Sequence, residues 1–265
     1  MRKTRKAPKG EAPKLDFTPA VPVYTLEDFP LWVPTLDEVV AGVAMKRMGK
    51  GALKKRWMSF LLKAIAECSY GLDERWGLVS IDIHDEDSQL GREREDCWLG
   101  PLTQRLTVAE FLERVDSDDL VLNREGLALS IVTEEPEIDP AGVADQVRQV
   151  LRYLRDRGFL FLFFDELGYW ARFAETELHA VAAVWAKEGI VPFFWSQVID
   201  DIPVQARKQL THVVSGRQVK RSDLLFLRDQ AGRPVAGTVY RLPKLHYVRA
   251  DLTQPTPELL HLLTQ

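Results

Sequence analysis

The residues of this chain best placed to do chemistry are two adjacent carboxylates, Asp165 and Glu166, which end the apolar run Phe159-Leu-Phe-Leu-Phe-Phe. Such a pair can divide labour. One carboxylate orients a divalent cation and its waters while the other draws a proton from an attacking water, the combination that hydrolyses phosphate anhydrides. Six unbroken large apolar residues read as a strand buried on both faces, which favours a parallel α/β sheet, where ligands gather at the carboxyl ends of the strands. A buried strand ending in an acidic N-cap or turn has the same appearance, so the rest of the chain must decide.

Two further constellations bear on that choice. A phosphate loop needs backbone N–H groups to wrap phosphate oxygens, a lysine to neutralise them and a Ser or Thr hydroxyl for Mg²⁺, written G-x-x-x-x-G-K-[ST]. The window Ala44-Met-Lys-Arg-Met-Gly49-Lys50-Gly51 fits this pattern except at two positions. Ala44 replaces the first glycine, which is tolerable if its φ stays negative, and Gly51 removes the hydroxyl, a vacancy that a water could fill with Asp165 holding the metal's second shell. Taken alone, Gly-Lys-Gly in a lysine-rich stretch also reads as a solvated turn. The third constellation is Trp195-Ser196-Gln197, where a side-chain amide closes an apolar strand and could sense a γ-phosphate beside the attacking water. The order Gly49-Lys50, Asp165-Glu166, Gln197 turns three ambiguous signals into a Walker A loop, a Walker B strand and a sensor.

The elements that must position these residues follow from apolar periodicity. Asp37 to Ala44 reads as a first buried strand, followed by a helix with Leu53, Trp57, Leu61, Ala64, Ile65 and Cys68 on one face and Lys54, Lys55, Arg56 and Lys63 on the remaining surface. Leu78 to Ile83 is a second strand, Gly91 to Thr107 is polar and irregular, Val108 to Val115 a short helix and Gly126 to Thr133 a third strand. Asp139-Pro140 caps and opens a helix with Val143, Val147, Val150, Leu151 and Leu154 inward, and Gly158 ends it. The Asp165 strand comes next, then a helix near Ala174 to Lys187 and the strand Ile190 to Ser196. Val213 to Val248 adds a strand, a helix and a terminal hairpin turning at Gln230-Ala-Gly-Arg-Pro. Strands alternating with helices of this length imply βαβ units and a mainly parallel sheet.

Composition sets the bounds. With 265 residues, 46% hydrophobic and 28% charged, the chain can bury one large α/β core. No run approaches the roughly 18 consecutive apolar residues of a membrane span, and the basic N-terminus lacks the apolar core of a secretory signal, so a cytoplasmic address is expected. Cys68 and Cys97 have no metal-ligand spacing and read as free thiols. A net charge of -4 argues against a wholly basic nucleic-acid coat. Met1 to Leu15 nevertheless carries Arg2, Lys3, Arg5, Lys6, Lys9 and Lys14 against Glu11, a basic tail that either grips an acidic partner or stays solvated. Phe17 to Pro34 reads as an extended lead-in packed on the core. His84-Asp85-Glu86-Asp87 is an acidic loop rather than a metal cluster, since contiguous residues cannot all converge on one ion, although Asp82 or Asp85 could border the nucleotide site. Trp57, Trp185 and Trp195 fall on core faces. Arg217-Gln-Val-Lys-Arg221, with Arg207 and Lys208, forms the main internal basic surface, lining a DNA channel or a subunit interface.

The loop Lys-Arg-Met-Gly49-Lys50-Gly, the strand Leu-Phe-Phe-Asp165-Glu166, the helix beginning near Ala174 and Pro-Phe-Phe-Trp-Ser-Gln197-Val-Ile-Asp-Asp-Ile-Pro203 together resemble the FtsK/HerA superfamily of DNA-pumping ATPases, above all its small viral branch. The resemblance runs from about Val39 to Val248. It implies a RecA-like P-loop NTPase fold, with 1–36 as basic tail and lead-in, 37–250 as ATPase domain and 251–265 as C-terminal tail. It implies an ATP hydrolase of the catalytic-glutamate group. Met48, Gly49, Lys50, Gly51 and Ala52 would hold the nucleotide, Asp165 Mg²⁺, Glu166 the attacking water and Gln197 the γ-phosphate. It also implies a homo-oligomeric ring in which an arginine, with Arg217 favoured over Arg221 and Arg207, completes the neighbouring subunit's site. Lys46 and Arg47 either contact phosphates or face solvent. The expected activity is translocation of double-stranded DNA for viral genome packaging, in the host cytoplasm or on a virion's packaging vertex, beside a capsid or membrane portal protein. The Zot-like ATPases that extrude filamentous phages share the layout but commonly carry a membrane span. A nucleotide-binding-deficient structural or DNA-binding module is the non-enzymatic alternative.

Overall fold

The computed structural model describes residues 19–73, 75–83, 103–116, 126–130, 139–155 and 158–254. The basic tail, His84 to Asp87, Cys97 and the end of the C-terminal tail lie outside these residues. Nine strands form one sheet in the order β1-β9-β8-β2-β7-β6-β3-β5-β4. They are β1 (Tyr24–Thr25), β2 (Val40–Val43), β3 (Gly77–Asp82), β4 (Thr103–Thr107), β5 (Gly126–Ser130), β6 (Leu160–Phe164), β7 (Ile190–Ser196), β8 (His212–Ser215) and β9 (His246–Asp251). The seven strands from β8 to β4 run parallel, while β9 pairs antiparallel with β8, and β1 antiparallel with β9. The helices are α1 (Lys50–Ala66), α2 (Val108–Asp116), α3 (Pro140–Leu154), α4 (Leu167–Trp170), α5 (Glu175–Ala180), α6 (Ala186–Glu188), α7 (Val204–Arg207), α8 (Arg221–Ala231) and α9 (Arg233–Arg241). A π-helical turn, Val181–Trp185, joins α5 to α6, so the helix expected near Ala174 to Lys187 is one interrupted rod.

The unbroken apolar run is explained by its two neighbours. Leu160, Leu162 and Phe164 face the layer that holds α3 and α4, whereas Phe161 and Phe163 face α1 and the lead-in. With side chains alternating between faces, a strand clothed on both sides has no polar position to spare. Phe163 stacks on Phe193 with ring centroids 4.1 Å apart, and Trp57 meets Phe193 edge-on at 5.1 Å. Gly42 in β2 is needed here, since a Cβ at that position would lie 2.2 Å from the Trp195 ring. The lead-in packs as expected, with Phe29 buried and Trp32 against Trp57 at 4.4 Å.

Several expectations need correction. Gln230-Ala-Gly-Arg-Pro does turn the chain, but between α8 and α9; Gly232 adopts φ +93 and the hairpin is helical. β9 then returns beside β8 as its antiparallel partner. Thr103–Thr107, within the stretch read as irregular, is the edge strand β4. Its mostly polar sequence, with Gln104 and Arg105 exposed and Leu106 buried, suits an edge, where no continuous apolar run is required. Cys68 is not on the helix face. α1 ends at Ala66, and Cys68 lies exposed in a turn at φ +47.

Candidate nucleotide site

Parallel register brings the three constellations to one edge of the sheet. Val43 pairs with Ser196 and Phe164 with Phe194, so the residues following β2, β6 and β7 emerge side by side. The segment after β2 turns sharply back into α1. Ala44 keeps a negative φ, and the left-handed positions fall at Arg47 (φ +65) and Gly49 (φ +101). Gly49 is confined as well as twisted, because a Cβ there would lie 2.4 Å from Leu245 Cδ2 and 2.5 Å from Tyr247 Oη. Leu53 N–H donates to the Gly49 carbonyl at 3.1 Å, which leaves the preceding amides of α1 aimed outward. Such a helix start attracts anions, and α1 carries no acidic residue in its first turn.

Opposite this loop, β6 delivers its two carboxylates to the lysines. Lys50 Nζ donates to Asp165 Oδ1 at 2.8 Å and to Glu166 Oε1 at 2.8 Å. Lys54 Nζ donates to Asp165 Oδ2. Glu166 sits in a left-handed conformation (φ +47), and its N–H donates to Asp165 Oδ1 at 2.8 Å, a strained backbone of the kind that clusters at functional sites. Gln197 Nε2 reaches Glu166 Oε2 at 3.4 Å. The cavity between loop and carboxylates measures about 570 Å³, and Lys46, Arg47, Lys50, Asp165, Glu166 and Gln197 are among the residues lining it. That volume falls within the ordinary range for small-molecule sites.

The electrostatics of the cluster are self-consistent. Burial works against a charged Asp165, yet Lys54 and Lys50 beside it prevail and hold its carboxyl well below the usual aspartate range. Burial likewise disfavours the Lys50 ammonium, but Asp165 and Glu166 outweigh it and raise its pKa above the ordinary lysine value. Lys50 and Asp165 therefore remain charged at neutral pH. Lys46 and Arg47 add positive charge at the rim, so the cavity suits a ligand that brings several negative charges.

The expectation that Asp165 holds Mg²⁺ meets an obstacle in the donor set. The usual P-loop site gives the ion a hydroxyl from the first turn of the helix and water bridges to the strand-end aspartate. Gly51 offers no hydroxyl, both Asp165 oxygens accept from lysines, and Lys54 is only 1% exposed. The residues present do not fit a Mg²⁺ site of the usual composition. Lys54 also corrects the surface role expected of it, since it lies under the loop rather than on the solvent side of α1.

The remaining residues singled out from sequence are placed as follows. Gly51 and Ala52 line the cavity, whereas Met48 lies behind the loop, its carbonyl accepting from Leu245 N–H at 3.1 Å. Arg217 is exposed just beyond β8, and its carbonyl accepts from Met45 N–H at 3.2 Å, so it flanks the loop without lining the cavity. Arg207 is tied to Asp200 at 2.6 Å and lies over the Phe226 ring, a structural arrangement. Arg221 starts α8 and is not among the residues lining the cavity. Asp82, fully within β3, is buried one strand over from Asp165, whose N–H donates to Ile81 O.

Sequence reasoning missed the residues that brace the site from afar. Tyr247 Oη donates to the Gly49 carbonyl at 2.7 Å, and burial pushes this phenol up to about 12. Lys244 and Leu245 line the cavity from the segment before β9. Buried Gln218 donates from Nε2 to the Gln197 carbonyl at 2.9 Å, and buried Asp223 accepts from Ile199 N–H at 3.0 Å, so the turn after β7 is clamped from both sides. None of these has a local motif; their proximity comes from β8 and then β9 lying on the side of β2 away from β7.

The sequence matches no protein-family model and no curated protein. Solved structures do share the fold. The genome packaging NTPase B204 from Sulfolobus turreted icosahedral virus 2, in complex with AMPPCP, aligns at TM-score 0.55 and 16% identity over 83% of this chain and 94% of that one. The DNA-packaging ATPase B204 from Sulfolobus turreted icosahedral virus gives 0.54 and 15% over 83% and 95%. The bacterial conjugative coupling protein TrwBdeltaN70 gives 0.54 and 11% over 82% and 83%. At these identities the likeness establishes a common RecA-like P-loop fold.

Proposed function

We propose that this chain is an ATP-hydrolysing DNA translocase of the FtsK/HerA type, acting in viral genome packaging. The observation that carries the reading is the Lys50 ammonium bridging Asp165 and Glu166 at 2.8 Å each, beneath a helix start and within reach of Gln197. A triphosphate entering the cavity would take Lys50 from the carboxylates, so that the lysine and the α1 amides carry the phosphate charge. Glu166, released from that pair, is then free to accept a proton from the attacking water, and the Gln197 amide, already at its side, can hold that water in line or contact the terminal phosphate. No residue is assigned to Mg²⁺, because Gly51 supplies no side-chain oxygen and Asp165 stays paired with Lys54 when Lys50 turns to the phosphates.

Motor action requires that the hydrolysis state be read by a neighbour. In the proposed ring Arg217, projecting from beside the loop, contributes its guanidinium to charge developing in the adjacent subunit's site. The packaging role is supported by the fold shared with DNA-packaging ATPases over nearly their whole length. ATP hydrolysis measured with and without linear double-stranded DNA tests the reading. Stimulation by DNA is the expected result, and hydrolysis indifferent to DNA of any length would contradict translocation.

A further inference from the structure

We propose that the Lys54 ammonium stands in for the divalent cation of an ordinary P-loop, so that nucleoside triphosphate binds here with an affinity that depends little on Mg²⁺. The inference rests on the nucleotide-site reading above and adds to it a resident charge supplied by the chain.

Three observations converge. The first is a missing hydroxyl: Gly51, at the position after the loop lysine, carries no side-chain oxygen to bind an ion. The second is the neighbour: Lys54 lies one turn further along α1, is 1% exposed, and donates to Asp165 Oδ2. The third is the carboxylate itself. Asp165, 5% exposed, has one oxygen taken by Lys50 and Glu166 N–H and the other by Lys54. A strand-end aspartate normally faces the waters of a metal; this one faces an ammonium.

Burying an ammonium is costly unless it is paired, and Asp165 supplies the pairing before any ligand arrives. Lys54 is as buried as Leu53, Trp57 and Met58 on the same helix. Its charge is therefore fixed in place, unlike that of a flexible rim lysine. When Lys50 turns to the phosphates, Lys54 remains to balance Asp165. The carboxylate then does not repel an incoming triphosphate, which is part of what a bound divalent cation otherwise prevents. A divalent ion entering beside Asp165 would meet this ammonium at close range, and like charges at that distance repel strongly in a partly buried site.

Equilibrium binding of a fluorescent ATP analogue to the full chain tests this. The measurement compares excess Mg²⁺ with excess EDTA for the wild type, Lys54→Met, and the double variant Gly51→Ser with Lys54→Met. Circular dichroism checks that each variant is folded. The wild-type dissociation constant is expected to change by less than about threefold between the two conditions. Lys54→Met should lose tenfold or more in EDTA, and the double variant should recover affinity in Mg²⁺ alone. A wild-type affinity that collapses tenfold or more in EDTA would overturn the inference, and because that comparison needs no variant it stands even if Lys54→Met fails to fold. Absence of nucleotide binding in both conditions would overturn the nucleotide-site reading as well, an outcome distinct from Mg²⁺-dependent binding, which would leave that reading intact.

Discussion

At the scale of single residues the site is defined by conformations that few side chains tolerate. Gly49 combines a left-handed φ with contacts that leave no room for a Cβ, so Gly49→Ala should cost about 1–3 kcal/mol of stability and displace the loop from Leu245 and Tyr247. Chemical denaturation checks the first effect, and nucleotide binding, expected to fall at least tenfold, checks the second. An unchanged midpoint with normal binding would show that the loop does not depend on this backbone. How much of the site was legible also divides at this scale. Lys50, Asp165, Glu166 and Gln197 announce themselves because each ends or begins an apolar element, where a polar side chain is conspicuous. Lys54 was hidden for the opposite reason. In a run of Lys54, Lys55 and Arg56 periodicity assigns all three to solvent, and only the buried carboxylate across the sheet edge distinguishes one of them.

At the scale of elements, the turn after β7 illustrates how distant residues hold a reactive one. Gln218 grips the Gln197 carbonyl and Asp223, in the first turn of α8, grips Ile199 N–H. Burial raises the Asp223 carboxyl to about 6, opposed by the bond from Ile199 and reinforced by Asp200. In the unfolded chain the group titrates near 3.9. Between those values the folded state binds more protons, so the contribution of Asp223 to stability is greatest below about pH 4, declines as pH rises to about 6 and is level above that. Asp223→Asn should flatten this segment of the stability–pH curve, measured as urea midpoints from pH 4 to 7; an unaltered slope would place the titration elsewhere. Elements also show why parts of the fold escaped sequence reading. The Gly232 turn carries real turn chemistry, but Gly and Pro punctuate helices and strands alike, and Leu224 to Leu227 is too short to reveal its period. β4 is mostly polar, as an edge strand can be, and resembles a loop until β5 is beside it.

At the scale of the whole molecule, function depends on topology that no local pattern contains. β2, β7 and β6 are adjacent in the sheet although they lie far apart in the chain, and that order is what unites Lys50 with Glu166 and Gln197. The alternation of strands and helices made the parallel sheet legible; the position of β8 and β9 on the far side of β2, and hence the bracing by Tyr247, was not. The proposed ring makes a claim at this scale. Arg217→Ala should reduce turnover about a thousandfold while leaving nucleotide affinity nearly unchanged. Mixing it with Glu166→Gln subunits should restore part of the activity, because some sites then pair an intact glutamate with a neighbour's arginine. Mixtures as inactive as either parent would place Arg217 outside the neighbouring site. The most direct measurement of the central claim is steady-state ATP hydrolysis by Glu166→Gln beside a nucleotide-binding titration of the same protein. Turnover reduced by a hundredfold or more with affinity within about threefold of wild type is the predicted result; turnover that persists at the wild-type rate would contradict Glu166 as the residue that activates water.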